Sequence, residues 1–477
     1  MFVFAIILTI LSVVAIGLVI AFPKLKVSEK LQNAGKYLIN IPILTLVIGV
    51  SILAVLGYSS YRQVVPTSAS IFQSDSGNTR EQPGDYAIDL ALFQADPSFD
   101  AKLNGEKSVT YQDGSSYSGN FKDGLFDGKG KLTYSDGSTY DGDFVAGVRQ
   151  GSGKFVSFSG FSYDGQWAND NLDGKGIYTF KDSSTYDGNF VGGLKSGTGT
   201  RVWPDHSRYD GEWANDQISG KGVMLYADGT SYDGDFADNL YDGVGAFKST
   251  EFTYSGEWAK GVKQGKGVYS FPDGSSYDGE FKTDAQTGNG TFTAANGEVY
   301  VGAFVSGRRE GSGTQTYKDG SKYTGAWANN LPNGSGAMTS AAGWKYDGEW
   351  TNGQRNGQGT YNYADGSTYV GGWAADKEDG TGTLKNIDGS IYNGGFKSGR
   401  KNGTGKITYK DGSNYDGEWD NGFKSGRGTY IYYNTSGGVY GTYVGQMQND
   451  KRNGSGKMTY ANGVVQDGQW KDDEWLG

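Results

Sequence analysis

A short phrase, Tyr-x-Gly-x-aromatic, recurs sixteen times along this chain at nearly constant spacing. Most steps between copies are 23 residues, with one step of 22 and one of 28. A period of about 20 to 50 residues is typical of repeat proteins, in which each unit packs on its neighbours. The length of the chain therefore does not imply several globular domains. The lead residues of the phrase are Tyr117, Tyr140, Tyr163, Tyr186, Tyr209, Tyr232, Tyr254, Tyr277, Tyr300, Tyr323, Tyr346, Tyr369, Tyr392, Tyr415, Tyr443 and, with Gln in place of Tyr, Gln466.

Each unit contains two strands and two turns by its sequence pattern. In the first unit the phrase begins at Tyr117, and its two aromatic residues and its glycine share one face because side chains alternate along a strand. A second strand is predicted to begin at Gly128-x-Gly130. Residues 136–138, Asp-Gly-Ser, predict a hairpin turn, since glycine tolerates the positive φ that tight turns need. The sequence therefore predicts an all-β array of antiparallel hairpins.

Glycine and aromatic residues support each other in this repeat. The chain has 80 glycines, and glycine inside a strand costs about 0.5 to 1 kcal/mol relative to alanine. A ring that lies flat over a glycine backbone compensates, and the rings then form the core of a single-layer sheet. The second strand carries a further ring in many units, namely Tyr134, Phe180, Trp203, Tyr226, Phe271, Tyr317, Tyr363 and Tyr409.

The spacing within a unit is stricter than the spacing between units. From every lead residue up to Tyr443, the first glycine of Gly-x-Gly lies eleven residues on. One residue is missing between Gly245 and Tyr254, and five are added between Gly428 and Tyr443. A one-residue slip inside a strand would turn its rings to the other face, so we predict that turns absorb these length changes.

The two ends of the array are predicted to be open sheet edges. Residues 105–115 match only a second strand and its turn, and the sixteenth unit reaches Gly477, where its own Gly-x-Gly would begin. Pairing of these edges between two copies is one way to form a homo-oligomer, although the charged residues 471–474 discourage it. Residues 85–94 are predicted to form a short amphipathic helix that caps the first repeat.

The start of the chain has the pattern of a membrane anchor. Residues 1–22 and 38–57 are uncharged apolar stretches about as long as a membrane-spanning helix. The loop between them holds four lysines and one acidic residue, so the positive-inside rule places this loop in the cytoplasm and the array outside. The predicted domains are therefore two transmembrane helices with a short basic loop at 1–58, a spacer with the capping helix at 59–104, and the array at 105–477.

The units resemble the MORN (membrane occupation and recognition nexus) repeat, as in Tyr163, Gly165, Trp167, Gly174 and Gly176. The resemblance covers about residues 105–477. It implies a twisted, single-layer antiparallel sheet that acts as a scaffold or binding surface for protein segments or membranes. MORN enzymes, such as certain plant lipid kinases, carry catalysis in a separate domain.

The fold expected overall is an elongated single-layer β-hairpin solenoid of about 16 repeats, preceded by a transmembrane helical hairpin. The helix pair, the spacer and a long array without cysteine suggest a bacterial cell-membrane protein with the array on the outer side.

Composition and motif content favour binding over catalysis. The net charge of −10 opposes nucleic-acid binding, apart from local basic pairs such as Arg308 and Arg309. The only histidine, His206, replaces a turn glycine and has no recognisable catalytic partners. Aspartates recur in every unit as turn formers, and the spacing of Asp273 and Asp278 matches no known calcium loop. We therefore predict no enzyme activity, cofactor or metal site.

A protein-binding scaffold is the function that the sequence favours. Three successive units place Trp at the same position, so we predict a partner site at Trp327, Trp350 and Trp373 with the lead residues Tyr323, Tyr346 and Tyr369. An alternative is a cell-surface module whose rings stack on sugars or enclose choline. Another is a passive spacer or a homotypic rod.

Overall fold

The computed structural model describes residues 83–477, and from Gly105 onward these form a single antiparallel sheet of 33 strands. Each strand pairs with the next one in the chain, from β1 with β2 to β32 with β33. The predicted transmembrane segments and the first part of the spacer lie outside the described residues. The strands are β1 (Gly105–Thr110), β2 (Ser116–Lys122), β3 (Leu125–Thr133), β4 (Thr139–Val145), β5 (Val148–Val156), β6 (Ser162–Ala168), β7 (Asn171–Thr179), β8 (Thr185–Val191), β9 (Leu194–Val202), β10 (Arg208–Ala214), β11 (Gln217–Leu225), β12 (Ser231–Ala237), β13 (Leu240–Lys248), β14 (Thr253–Ala259), β15 (Val262–Ser270), β16 (Ser276–Lys282), β17 (Ala285–Thr293), β18 (Val299–Val305), β19 (Arg308–Thr316), β20 (Lys322–Ala328), β21 (Leu331–Thr339), β22 (Lys345–Thr351), β23 (Gln354–Asn362), β24 (Thr368–Ala374), β25 (Lys377–Lys385), β26 (Ile391–Lys397), β27 (Arg400–Thr408), β28 (Asn414–Asp420), β29 (Phe423–Tyr433), β30 (Val439–Gln448), β31 (Lys451–Tyr460), β32 (Val465–Lys471) and β33 (Glu474–Trp475).

The tightest turn of each unit precedes Gly-x-Gly. It has two residues, both with positive φ, as at Asn421 (51°) and Gly422 (98°). Such turns match the right-handed twist of paired strands, which is why they join antiparallel neighbours closely. The second strand therefore begins three residues earlier than predicted, at Leu125 rather than at Gly128. We name this connection the tight turn.

The predicted Asp-Gly-Ser turn is present as the second connection. The Tyr134 N–H donates to the Ser138 carbonyl at 2.8 Å, and the Gly137 N–H donates to the Tyr134 carbonyl at 3.0 Å. The Asp136 carboxylate accepts from the Ser138 N–H at 2.7 Å and from its hydroxyl at 2.9 Å. This geometry explains why aspartate and serine recur there without any further chemistry.

The two length changes are accommodated differently. The missing residue shortens the second connection, where the Ser249 N–H donates to the Phe252 carbonyl. The prediction that a turn absorbs the five added residues is wrong, because these residues lengthen strands β29 and β30 instead. A bulge between Tyr432 and Tyr433 takes up the odd residue, so the rings on both sides keep their face.

Gly-x-Gly lies at a bulge in the middle of the second strand. Gly119 pairs with Gly130 but Phe121 pairs with Phe126, so the second strand carries extra residues there. The first glycine, Gly128, has φ of 84° at this bulge. A Cβ on Gly130 would overlap the Tyr117 ring. The predicted stacking of rings on glycine is therefore the packing principle of the sheet.

Two short helices precede the sheet, where a single helix at residues 85–94 was predicted. They are a 3-10 helix at Pro83–Tyr86 and an α-helix, α1, at Leu90–Ala95. The Asp89 carboxylate caps α1 by accepting from the Ala91 N–H at 3.0 Å. No helix within residues 83–477 has the length and apolar character needed to cross a membrane.

Candidate binding face

The rings of the first strands form a continuous ladder along one face, which we call the ring face. Tyr323 contacts Trp327 of its own strand and Trp350 of the next unit, each edge-on with ring centres 5.2 Å apart. Tyr346 repeats this contact with Trp350 and Trp373. Edge-on contacts of this length are favourable, and they connect each unit to the next.

All six residues of the predicted partner site belong to this ladder and are buried. The exposed fractions of Trp327, Trp350 and Trp373 are 4%, 8% and 4%, and those of the three tyrosines are 0–1%. The Tyr323 hydroxyl donates to the Ala326 carbonyl at 2.9 Å, and burial raises the pKa of Tyr323 to about 12. The six rings therefore build the sheet core, and their action as partner anchors stays a prediction.

The tryptophans of the ladder also bond to the backbone of the preceding unit. The Trp350 Nε1–H donates to the Gly336 carbonyl at 2.9 Å, and Trp327 bonds to Gly313 at 3.1 Å in the same way. Trp373 differs, because its buried Nε1 has no partner among the described residues.

A row of buried or half-buried cations crosses the ring face, and the sequence reasoning did not identify it. Each cation lies nine residues after a lead residue. The Arg149 side chain is fully buried, with its Cζ 4.4 Å from the Trp167 ring centre. Arg355 lies 4.5 Å from the Trp373 ring centre. The cation row comprises Arg149, Lys195, Lys263, Arg309, Arg355, Lys401, Lys424 and Arg452.

Most of these cations pair with an aspartate in the tight turn of the next unit. The Asp170 Oδ1 accepts from the Arg149 main-chain N–H at 2.9 Å and from its Nε at 2.8 Å. The same pairing recurs at Lys195–Asp216, Lys263–Asp284, Arg355–Asp376, Lys424–Asp450 and Arg452–Asp473. Where the row position is apolar, the turn position is glycine in several units, as with Leu172 and Gly193, but Ile218 faces Asn239, whose side chain accepts from the Ile218 N–H at 2.7 Å. This joint variation was readable from the sequence once the tight turn had been located.

Two cations of the row lack this aspartate. Arg309 faces Asn330, whose side chain accepts from the Arg309 N–H at 2.8 Å, and the Arg309 guanidinium donates to Gln315 at 2.7 Å. Lys401 faces Gly422, which has no side chain. Burial lowers the pKa of Lys401 below its ordinary range.

The segment before the sheet lies on the ring face of the first units. The Tyr86 ring is 5.0 Å from Phe155 and 5.8 Å from Tyr134, and the Tyr134 hydroxyl donates to the Tyr86 carbonyl at 3.1 Å. Phe93 of α1 lies 4.6 Å from Tyr111 and 5.5 Å from Phe126. The ring face thus accepts a chain segment through inserted aromatic side chains.

Later units present corresponding rings that are only half-buried. Tyr317, Tyr363 and Tyr409 stand where Tyr134 stands in the first unit, seventeen residues after the lead residue. Tyr134 is half-buried too, with the Tyr86 ring against it. These half-buried rings form the accessible part of the ring face.

The remaining candidates from the sequence occupy turns. His206 has a φ of 70° and is exposed in the second connection of its unit. Asp273 accepts from the Ser275 N–H at 2.8 Å and hydroxyl at 2.6 Å, as the other turn aspartates do. Within residues 83–477, no group of three His, Asp or Glu side chains is arranged to hold a metal ion.

A hairpin array with this ring and glycine pattern defines a class of repeat protein. The MORN repeat family model matches fifteen successive segments between residues 117 and 465, and the unit led by Gln466 lies beyond the last match. The chain belongs to the MORN repeat family. A search of curated proteins finds no match to it.

Solved structures give only a distant likeness. The TCP10 domain of Danio rerio CPAP shares 14% identity over 42% of this chain and 94% of its own, with a TM-score of 0.25. The TCP domain of Drosophila melanogaster SAS-4, solved with a proline-rich motif of Ana2, shares 13% identity over 33% of this chain and 85% of its own, with a TM-score of 0.22. These scores are too low to define a common fold.

Proposed function

We propose that this MORN array is a membrane-anchored, non-catalytic scaffold that captures a segment of a protein partner on its ring face. The observation that carries the proposal is the seating of the chain's own segment on that face, with Tyr86 and Phe93 inserted among the rings of the sheet. Peptide segments bind such faces by inserting aromatic side chains into shallow pockets. The anchor is assigned to residues 1–58 and the array to the outer side of the membrane.

The half-buried rings, rather than the buried ladder, are the contact surface in this proposal. Replacing Trp327, Trp350 and Trp373 would remove sheet core, so loss of binding by those variants would report unfolding. Tyr317, Tyr363 and Tyr409 are accessible, and Tyr134 at the corresponding position already bonds to Tyr86. The choline alternative loses support because the spaces between rings that could enclose a choline already contain lysines and arginines of the cation row.

Chemical cross-linking in intact membranes, followed by purification of the full chain and mass spectrometry, tests the proposal. The variant Tyr317→Ala/Tyr363→Ala/Tyr409→Ala should lose cross-linked partners at a temperature well below its own melting temperature, which should fall because Tyr363 donates to Glu378 and Tyr409 accepts from Lys424. A matched control is Val301→Ala/Val370→Ala/Val444→Ala, because these valines are about half exposed on the opposite face. Equal partner recovery from both variants would contradict the proposal.

A further inference from the structure

Lys401 is a caged cation without a carboxylate. Its Nζ lies 5.0 Å from the ring centres of both Tyr392 and Trp419. Within residues 83–477, no Asp or Glu oxygen lies within 4.0 Å of this Nζ. Six of the other seven cations in the row have an aspartate at the corresponding turn position. The row therefore contains one position with the donors of a carboxylate site but no internal acceptor.

The paired units show what this position accepts. At Lys263, one oxygen, the Oδ1 of Asp284, accepts from the main-chain N–H at 2.9 Å and from the Nζ at 3.2 Å. Lys401 occupies the same place in β27 and offers the same two donors. A side chain at Gly422 would point into open space, since no atom lies within 4 Å of its Cβ direction. The space that an aspartate fills in the other units is thus accessible here.

We propose that Lys401 and the space beside Gly422 bind a carboxylate of an acidic side chain on a partner segment that docks along the ring face. A carboxylate in this position would accept hydrogen bonds from a main-chain N–H and an ammonium group, which are the strong, charge-assisted kind. The inference rests on the proposed function for the source of the carboxylate.

The chain's own docked segment has the chemistry of such a partner. Residues 85–100 contain four aspartates and no cation, interspersed with the anchors Tyr86 and Phe93. One of these aspartates, Asp96, accepts from the main-chain N–H of Gln112, in the turn between β1 and β2, at 2.8 Å. A docked acidic segment therefore already uses a carboxylate to bind a main-chain N–H of the array, and Lys401 offers a main-chain N–H together with an ammonium group at a different position in a later unit.

A small carboxylate tests the site itself. Fluoroacetate is added to the full chain, and the broadening of its ¹⁹F NMR signal measures binding. The variant Gly422→Asp supplies an internal carboxylate and should remove most of the broadening. Gly353→Asp is the matched control, because it adds the same charge to a tight turn opposite Pro332, which has neither a cation nor an N–H to bind it. Broadening that survives in Gly422→Asp as in the wild type would overturn the site.

A peptide with the sequence of residues 85–101 tests the source of the carboxylate. Its affinity for the full chain should fall about tenfold with Gly422→Asp, with Lys401→Met, or when its aspartates become asparagines, as expected for one charge-assisted contact. Gly353→Asp should bind it like the wild type. If the peptide binds with an affinity that none of these changes alters, partner capture stands and the Lys401 site is rejected. If fluoroacetate binds at Lys401 but the peptide does not bind, the site serves free carboxylates and the partner-segment assignment is rejected.

Discussion

The second glycine of Gly-x-Gly is the residue on which the ring ladder depends. Gly336 illustrates the constraint, because a Cβ there would overlap the Tyr323 ring and its hydroxyl. The ring cannot move away, since it is enclosed by Trp327 and Trp350. Overpacking of this kind costs about 1 to 3 kcal/mol.

Gly336→Ala should therefore lower the free energy of unfolding by about 1 to 3 kcal/mol. The neighbouring Ser335 is exposed on the other face, so Ser335→Ala serves as the control and should have little effect. Urea denaturation followed by tryptophan fluorescence measures both. Equal stability of the two variants would show that the ring does not need the glycine.

Comparing Trp350 with Trp373 measures how much the indole-to-backbone hydrogen bond of the ladder contributes to stability. Trp350 donates its Nε1–H to Gly336, whereas the buried Nε1 of Trp373 has no partner among the described residues. A hydrogen bond contributes about 0.5 to 1.5 kcal/mol, and a buried donor without one costs more than it contributes. Trp350→Phe should therefore destabilise the fold more than Trp373→Phe, as measured by the two midpoints of urea unfolding. A larger loss of stability in Trp373→Phe than in Trp350→Phe would refute this role of the hydrogen bond.

The buried lead tyrosines should make the array sensitive to alkali. Burial raises the pKa values of Tyr323 and Tyr346 to about 12, above the usual value of 10.0. The unfolded chain loses these protons first, so the contribution of these tyrosines to the free energy of unfolding should be constant below pH 10 and fall between about pH 10 and 12. Denaturation curves across this range, with tyrosinate absorbance recorded in parallel, check this. Ionisation of all tyrosines near pH 10 without unfolding would contradict it.

At the scale of the strand and its turns, the sequence predicted part of the structure of the repeat. The period, the alternation of Tyr117, Gly119 and Phe121, and the turn at residues 136–138 follow from local chemistry, and the structure has all three. The start of β3 was misplaced because the tight turn lies before Gly-x-Gly and varies in sequence, as in Lys260-Gly261 and Thr283-Asp284. No single residue type marks it.

The cation row was missed for a related reason. A lysine or arginine in a β-strand pattern reads as a solvent-facing residue, and only the neighbouring turn shows that it is buried. The binding site predicted at Trp327, Trp350 and Trp373 followed from Trp at the same position in three successive units, and it stays a prediction, whereas the burial of these rings depends on contacts between units. Contacts of that kind cannot be read from one repeat.

The pair Arg149 and Asp170 provides a test of contacts between elements. Asp170→Gly would leave the fully buried Arg149 without its carboxylate, and removing one partner of a buried pair costs about 3 to 5 kcal/mol. Adding Arg149→Leu recreates the Leu172–Gly193 combination of the next unit and should recover most of the lost stability. Thermal unfolding of the single and double variants measures this. A double variant no more stable than Asp170→Gly would refute the pairing rule.

At the scale of the described array, each unit contacts its neighbours through the ring ladder, and six units also through a pair of the cation row. Stability of such arrays is approximately a sum over units and the interfaces between them. Whole units should therefore be removable, provided that the new neighbours match.

Two deletions of equal length test whether the new neighbours must match. Removing residues 392–414 brings Glu378 opposite Gly422, which resembles its present position opposite Gly399. Removing residues 369–391 brings Arg355 opposite Gly399 and eliminates Asp376, its present partner. The first variant should keep the higher melting temperature in calorimetry. Equal melting temperatures would show that adjacent units are interchangeable.

The pairs of the cation row also bear on how such a gene can change. Unequal recombination between near-identical repeats adds or removes units at random, yet six of the eight cations in the row depend on an aspartate in the unit that follows. Duplications that break such a junction would produce a weaker protein and be lost to selection. The array should therefore be inherited in blocks of several units. The boundaries of these blocks should fall where two units meet without a cation–aspartate pair, such as Leu172 with Gly193 or Pro332 with Gly353.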